Sequence, residues 1–163
     1  MNPRLRRLYA DCEQVKSVFA AHPRISVVSV EGDPPEKYVV EYRVAGLVGR
    51  EELADAPAAL RTQVMPRMTH RAEIFLPIDY PRRPPFCRMT TPVFHPNIDA
   101  QKICIGDHWS AGQKLSHLIV RIGEMITYQS YNVKSPLNGE AAAWASQNID
   151  RLPLEKVDLT GGL

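Results

Sequence analysis

Between Tyr80 and Pro85 the chain reads Tyr-Pro-Arg-Arg-Pro-Pro. Each proline ring fixes φ and removes a backbone donor, so this stretch is a stiff, extended connection at a sheet edge or beyond it, and no helix crosses it. Phe86 to Thr91 then alternates, with Cys87 and Met89 to one side and Arg88 and Thr90 to the other. That is the period of a half-buried strand, and Pro92 closes it. His95-Pro96-Asn97 follows, and after it Ile103-Cys104-Ile105-Gly106, a thiol between two aliphatic side chains.

The 163 residues, 44% hydrophobic and 23% charged, suit one globular domain large enough to bury a core. A net charge of +2 is too small for a nucleic-acid binder, which must neutralise many phosphates. No apolar run approaches the length of a membrane span and no signal-peptide core follows Met1, so the expectation is a cytoplasmic protein without a membrane partner. Three cysteines without a Cys-x-x-Cys fit a reducing compartment and argue against a disulfide framework or a thiolate zinc site. No metal and no cofactor is expected.

Residues 3 to 20 form an opening helix, because Leu5, Leu8, Cys12, Val15 and Phe19 recur at spacings of three and four on one face. Cys12 therefore belongs to the core. Arg4, Arg6, Arg7 and Lys16 on the other face are either a solvated charge run or a docking surface. Pro23 ends the helix, Ile25 to Val30 is a first strand, and Gly32-Asp33-Pro34-Pro35 turns into a second over Tyr38 to Val44. The pattern is lost from Leu47 to Pro66, where a charged, Ala-rich segment has room for one helical turn broken at Pro57. Met68, His70, Ala72, Ile74 and Leu76 make the inner face of a third strand, with His70 a core histidine. Leu115, Leu118, Ile119, Ile122, Met125, Ile126 and Gln129 share one stripe of a helix that covers the sheet. Asn138 caps a last short helix running to about Asn148, and the final Thr160-Gly161-Gly162-Leu163 reads as a frayed tail.

Cys104 has two readings from its neighbours: a side chain buried between Ile103 and Ile105, or a nucleophile on a segment outside any clean period, with Gly106 relaxing the backbone after it. A thiolate suits acyl transfer because it is strongly nucleophilic and its thioester stays reactive toward amines. Asn97 is either a turn residue after Pro96 or an amide donor to the oxyanion formed when an amine attacks a thioester. His95 reads as structural, its ring nitrogens pinning the loop that carries Asn97.

The order of these motifs resembles the ubiquitin-conjugating enzymes, which carry a Tyr-Pro-x-x-Pro-Pro segment, a strand, a His-Pro-Asn motif and then a thioester-forming cysteine. The likeness covers roughly residues 66 to 148, including Trp109-Ser110 and Pro136-Leu137. It implies an α+β fold: a four-stranded antiparallel meander with an N-terminal helix and two C-terminal helices. A catalytic domain would occupy residues 1–150 and a C-terminal tail residues 151–163. It also implies a transferase that accepts a ubiquitin-like modifier on Cys104 from an activating enzyme and passes it to an acceptor amine of a protein substrate. Asn97 would then serve catalysis, with His95, Pro96, Asp107 and Ser135 in support, and Arg4, Arg6 and Arg7 would meet the activating enzyme.

Five departures from the family pattern stand out. One residue is missing between Asn97 and Cys104. Ser135 stands where an acidic residue usually precedes Pro-Leu, and Gly106 where an acidic residue follows the cysteine, leaving Asp107 to substitute. Arg82-Arg83 and Ser110-Ala111-Gly112 replace the apolar surface that ring-type ligases use. The long C-terminal helices are missing or vestigial. Such a divergent member is of the kind encoded in bacteria beside an activating enzyme and a modifier. Two rival functions are a catalytically inactive binding module of the same fold and a metal protein using His95, Cys104, His108 and His117, whose spacing matches no usual zinc pattern.

Overall fold

The computed structural model describes residues 1–49, 64–106 and 109–163. Helix α1 runs Pro3–Phe19, opened by the Asn2 side chain, which accepts the Leu5 N–H. Strands β1 (Ile25–Gly32), β2 (Pro35–Tyr42), β5 (His70–Phe75) and β6 (Phe86–Met89) form one antiparallel sheet in that order. Between β2 and β5, β3 (Gly46–Val48) pairs with β4 (Met65–Arg67) as a separate ribbon. Its two strands are the flanks of the stretch where periodicity fails. Three residues are too few to show a period, and the helical turn expected around Pro57 lies outside the described residues. Helices α2 (Leu115–Ile126) and α3 (Gly139–Gln147) follow, and a 3₁₀ turn at Ile149–Arg151 comes after α3. This is an α+β architecture, as the motif order implies. Among the described residues no helix is long and apolar enough to cross a membrane.

One face of the sheet packs on α1 and α2. Tyr38, Val40 and Tyr42 of β2, Ala72 and Ile74 of β5 and Cys87 of β6 are buried beneath Leu118, Ile119 and Ile122 of α2. The alternation of apolar residues on each strand and their 3.6 period on the helices turn one side of every element inward. Burying this much apolar surface is the main favourable term in folding. Tyr42, wholly buried, satisfies its hydroxyl by donating to the Ile119 carbonyl at 2.7 Å.

Several boundaries differ from the sequence reading. Strand β2 starts earlier, at Pro35, and ends at Tyr42, although Val44 beyond it is still fully buried. Met68 precedes β5 and is exposed rather than on the inner face. Helix α2 stops at Ile126 because Tyr128 adopts φ 62°, so Gln129 falls past the helix and donates to Thr127 Oγ1 and the Val157 carbonyl.

The stretch before the last four residues is docked. Leu154 N–H donates to Thr127 O, Glu155 pairs with Arg24 at 2.9 Å and accepts the Ala45 N–H, and buried Leu159 takes a hydrogen bond from His22 Nε2. This docking depends on partners from three distant elements, and residues 160–163 beyond it are exposed.

Candidate active site

The three residues of the His-Pro-Asn motif each bind a different point of the loop after α2. His95 is fully buried; its Nε2–H donates to the Ser130 carbonyl at 3.1 Å while Nδ1 accepts the Asn97 N–H at 3.0 Å. The Pro96 carbonyl accepts from Leu137 N–H at 2.8 Å and Asn138 N–H at 3.1 Å. Asn97 forms a two-bond clasp with the Asn132 backbone: Nδ2 donates to its carbonyl at 2.9 Å and Oδ1 accepts its N–H at 2.8 Å. Residues 130–138 are thereby drawn over the motif. Ser135 is exposed on this loop at φ 51°, a left-handed conformation that serine rarely adopts. Its hydroxyl is no general base.

Burial lowers the His95 pKa from 6.5 to about 4, so the ring is neutral with its proton on Nε2, as the Ser130 bond requires. The neutral form is the one the fold stabilises. Because the folded-state value lies below the unfolded one, this stabilisation is present above about pH 6.5 and is lost as pH falls toward about 4, amounting at most to about 3 kcal/mol. Urea unfolding at both ends of that window checks it. The wild type is expected to lose more stability on acidification than His95→Gln, and equal losses would show that His95 is not the titrating group. With both ring nitrogens engaged, His95 is also a poor metal ligand. His117 is exposed on α2, and among the described residues no three ligating side chains converge.

The chain returns from Asn97 to Cys104 through a tight hairpin. Ile98 bridges Ile103, and Asp99 closes the turn, its Oδ1 accepting from Gln101 N–H at 2.8 Å and Lys102 N–H at 2.9 Å. This carboxylate-capped turn explains how the connection works with one residue fewer than the family pattern. Ile103 N–H then donates to Cys87 O and Cys104 N–H to Asn97 O, both at 2.8 Å. Successive amides pointing to opposite sides mean an extended backbone, and the side chains alternate accordingly: Ile103 and Ile105 are buried, Cys104 is exposed. The buried reading of Cys104 is therefore wrong. Its neighbours are anchors that leave the thiol outside.

Cys12 and Cys87 are both buried, and burial pushes the Cys87 thiol up to about 12. Gly106, at φ 58°, turns the chain immediately beyond the site. Asp107 lies outside the described residues.

The three arginines of α1 do not form one free face. Arg7 donates to both oxygens of buried Asp11 at 3.0 Å, to the Tyr80 hydroxyl at 3.1 Å, and to the carbonyls of Ala111 and Gln113. Arg4 spans Glu36 at 3.2 Å and the Pro77 carbonyl at 2.9 Å. Arg6 is exposed. Helical spacing reports which face a residue occupies but not whether a neighbouring loop covers that face.

Sequence reasoning missed Asn132, Asp11 and Tyr128. Asn132 contributes through its backbone, which carries no signature. Asp11 interrupts the apolar stripe of α1, and that interruption was the available signal for a buried charge with a partner. Tyr128 packs its ring 4.8 Å from His95 and donates to Phe94 O at 2.7 Å, work that its hydrophobicity alone does not reveal.

The comparisons with known proteins agree with this arrangement. Residues 62–157, more than half of the chain, match the family model described as ubiquitin-conjugating enzyme. A relative named ubiquitin-conjugating enzyme E2 S from Drosophila willistoni is 26% identical over 87% of this chain and 68% of its own length. Another of the same name from Dictyostelium discoideum is 30% identical over 49% of this chain and 38% of its own length. The matched span holds the proline segment, the His-Pro-Asn motif, the exposed cysteine and the loop that closes over them, and the chain belongs to the ubiquitin-conjugating enzyme family.

Proposed function

We propose that the chain accepts the C-terminus of a ubiquitin-like modifier as a thioester on Cys104, delivered by an activating enzyme, and transfers it to an amine of a protein substrate. The observation that carries this reading is the exposure of Cys104 between two buried isoleucines, with its N–H held on the Asn97 carbonyl at 2.8 Å. An inert core cysteine has no need of that arrangement, and a binding module of the same fold has no need of the thiol.

In the charging step the Cys104 thiolate attacks the thioester carbonyl on the activating enzyme, and that enzyme's thiolate leaves. In the transfer step the substrate amine attacks the Cys104 thioester; a C–N bond forms, the C–S bond breaks, and the amine loses a proton. Both pass through an oxyanion. A carboxamide has two N–H donors, and Asn97 spends one on Asn132 O, which leaves the other for that oxyanion. His95 and Pro96 hold the frame, and Ser135 supplies no base, so the incoming lysine must be deprotonated by solvent, by the substrate, or by Asp107. An exposed thiol that must stay reduced between turnovers belongs in a reducing compartment such as the cytoplasm.

The test is to incubate the protein with an activating enzyme, its modifier and ATP, and resolve the products with and without reductant. A reductant-sensitive adduct is expected for the wild type, Cys12→Ala and Cys87→Ala, and none for Cys104→Ala. An adduct that survives Cys104→Ala would reject the assignment.

A further inference from the structure

From Lys102 to Gly106 the chain alternates strictly: Lys102, Cys104 and Gly106 are exposed, Ile103 and Ile105 buried. The hairpin's hydrogen bonds fix that alternation. Ile98 bridges Ile103, the Lys102 carbonyl accepts the Asp99 N–H at 3.0 Å, and the Cys104 N–H is held on the Asn97 carbonyl at 2.8 Å. In an extended chain residues i and i+2 project to the same side, so Lys102 stands beside Cys104 on the open face. Their Cα atoms are about 7 Å apart, two steps of an extended chain, and a four-carbon stem laid along the strand is long enough to bring its nitrogen to an acyl group on the sulfur. Among the described residues nothing binds that ammonium; Asp99 of the same turn spends its Oδ1 on two backbone N–H groups.

We propose that Lys102 is an acceptor built into the chain: once Cys104 carries the modifier, the Lys102 amine takes it over within the same molecule. The proposal rests on the thioester role of Cys104. The ammonium gives up a proton to water and the free amine attacks the thioester carbonyl; a C–N bond forms, the C–S bond breaks, and Cys104 leaves as thiolate. The product is an isopeptide that reductant does not cleave. Without a substrate protein the charged chain thus becomes a self-conjugate, and Lys102 limits how long the thioester lasts. Mildly acidic pH keeps the amine protonated and holds the modifier on Cys104. A tether this short gives the amine an effective concentration of about a millimolar or more, roughly a hundredfold above the lysines of other molecules at ~10 µM protein. Two further exposed lysines are the rivals: Lys114, the residue that precedes α2, and Lys134, on the loop that Asn97 clasps.

The experiment charges wild type, Lys102→Arg, Lys114→Arg and Lys134→Arg with an activating enzyme, its modifier and ATP. Enzyme and ATP are then removed, and the thioester is followed at mildly alkaline pH in buffer free of amines. Wild type is expected to convert its reductant-sensitive adduct into a reductant-stable one on Lys102, mapped by peptide mass spectrometry, at a first-order rate that dilution does not change. Lys102→Arg keeps the charge but has no amine to acylate; it should still charge, and form the stable adduct at least about tenfold more slowly. Lys114→Arg and Lys134→Arg should match wild type.

A stable adduct that persists in Lys102→Arg, maps to another lysine or slows in proportion to dilution overturns the proposal, as does a wild-type thioester that only hydrolyses. Should the wild type form no thioester with the modifier, the proposed function has failed, and a small acyl group decides the present proposal instead. An acetyl thioester exchanged onto Cys104 at mildly acidic pH leaves buried Cys12 and Cys87 untouched, and the reagent is removed before the pH is raised. Acetyl then found on Lys102, and absent there in Cys104→Ala, supports the proposal. Acetyl that stays on Cys104 or is lost to water with Lys102 unmodified removes it.

Discussion

Asn97→Ala is expected to accumulate the Cys104 adduct but discharge it to free lysine or hydroxylamine about a hundredfold more slowly than wild type, the usual loss when one oxyanion donor is removed. Charging suffers less because the activating enzyme contributes its own site. The clasp on Asn132 makes the experiment more demanding than a simple deletion. Alanine removes two hydrogen bonds that hold the loop of residues 130–138, together worth about 2 kcal/mol, so some thermal destabilisation must accompany the kinetic loss. Asn97→Asp is the stricter variant. Its carboxylate can still accept the Asn132 N–H, but it cannot donate to the Asn132 carbonyl and it repels the developing oxyanion, so it should discharge no faster than Ala. If Asp recovers most of the rate, the oxyanion role is wrong; thermal unfolding of each variant separates a slow discharge from a lost clasp. Wild-type discharge from Asn97→Ala would dispose of the oxyanion role altogether.

The second large effect concerns the attacking atom itself. Cys104→Ser is expected to form, slowly, an adduct that resists reductant and alkali-free hydroxylamine treatment far longer than the thioester, because an alkoxide is a poorer leaving group than a thiolate. Discharge should fall by a factor on the order of a hundred or more. The serine hydroxyl would occupy the same outward position between Ile103 and Ile105, so folding is not expected to change. A serine variant that never forms an adduct, while wild type charges fully, would mean that the site tolerates no weaker nucleophile. One whose adduct is lost in reductant like the wild-type adduct would mean that the modifier sits on another residue.

How much of this was legible beforehand follows from the physics of each feature. The sheet strands and α2 carry long alternating or helical runs, so their inward faces could be read residue by residue, and the inner side of β2 came out at Tyr38, Val40 and Tyr42 as the alternation requires. The ribbon of Gly46–Val48 and Met65–Arg67 could not, because three-residue strands have no period and their pairing spans the whole intervening segment. The docked C-terminal residues were equally invisible: His22, Arg24 and Thr127 hold them from places remote in sequence.

At the site, both ring nitrogens of His95 are engaged, one on the Ser130 carbonyl and one on the Asn97 N–H, which is the kind of contact a pinning role calls for. The exposure of Cys104 was not decidable from an Ile-Cys-Ile triplet. It follows from the opposite directions of two consecutive amides, toward Cys87 and toward Asn97, which only the folded chain displays. The arginines of α1 show the limit most plainly. A charge run on a helix looks solvated until a loop more than a hundred residues away supplies carbonyls for it.

The most direct measurement is peptide-level mass spectrometry of the charged wild-type protein, kept at mildly acidic pH and free of reductant. The account predicts the modifier's C-terminus on the peptide containing Cys104, lost on adding thiol, with the Cys12 and Cys87 peptides unmodified. A reductant-stable linkage, or a thioester found on either of the other two cysteines, would contradict it.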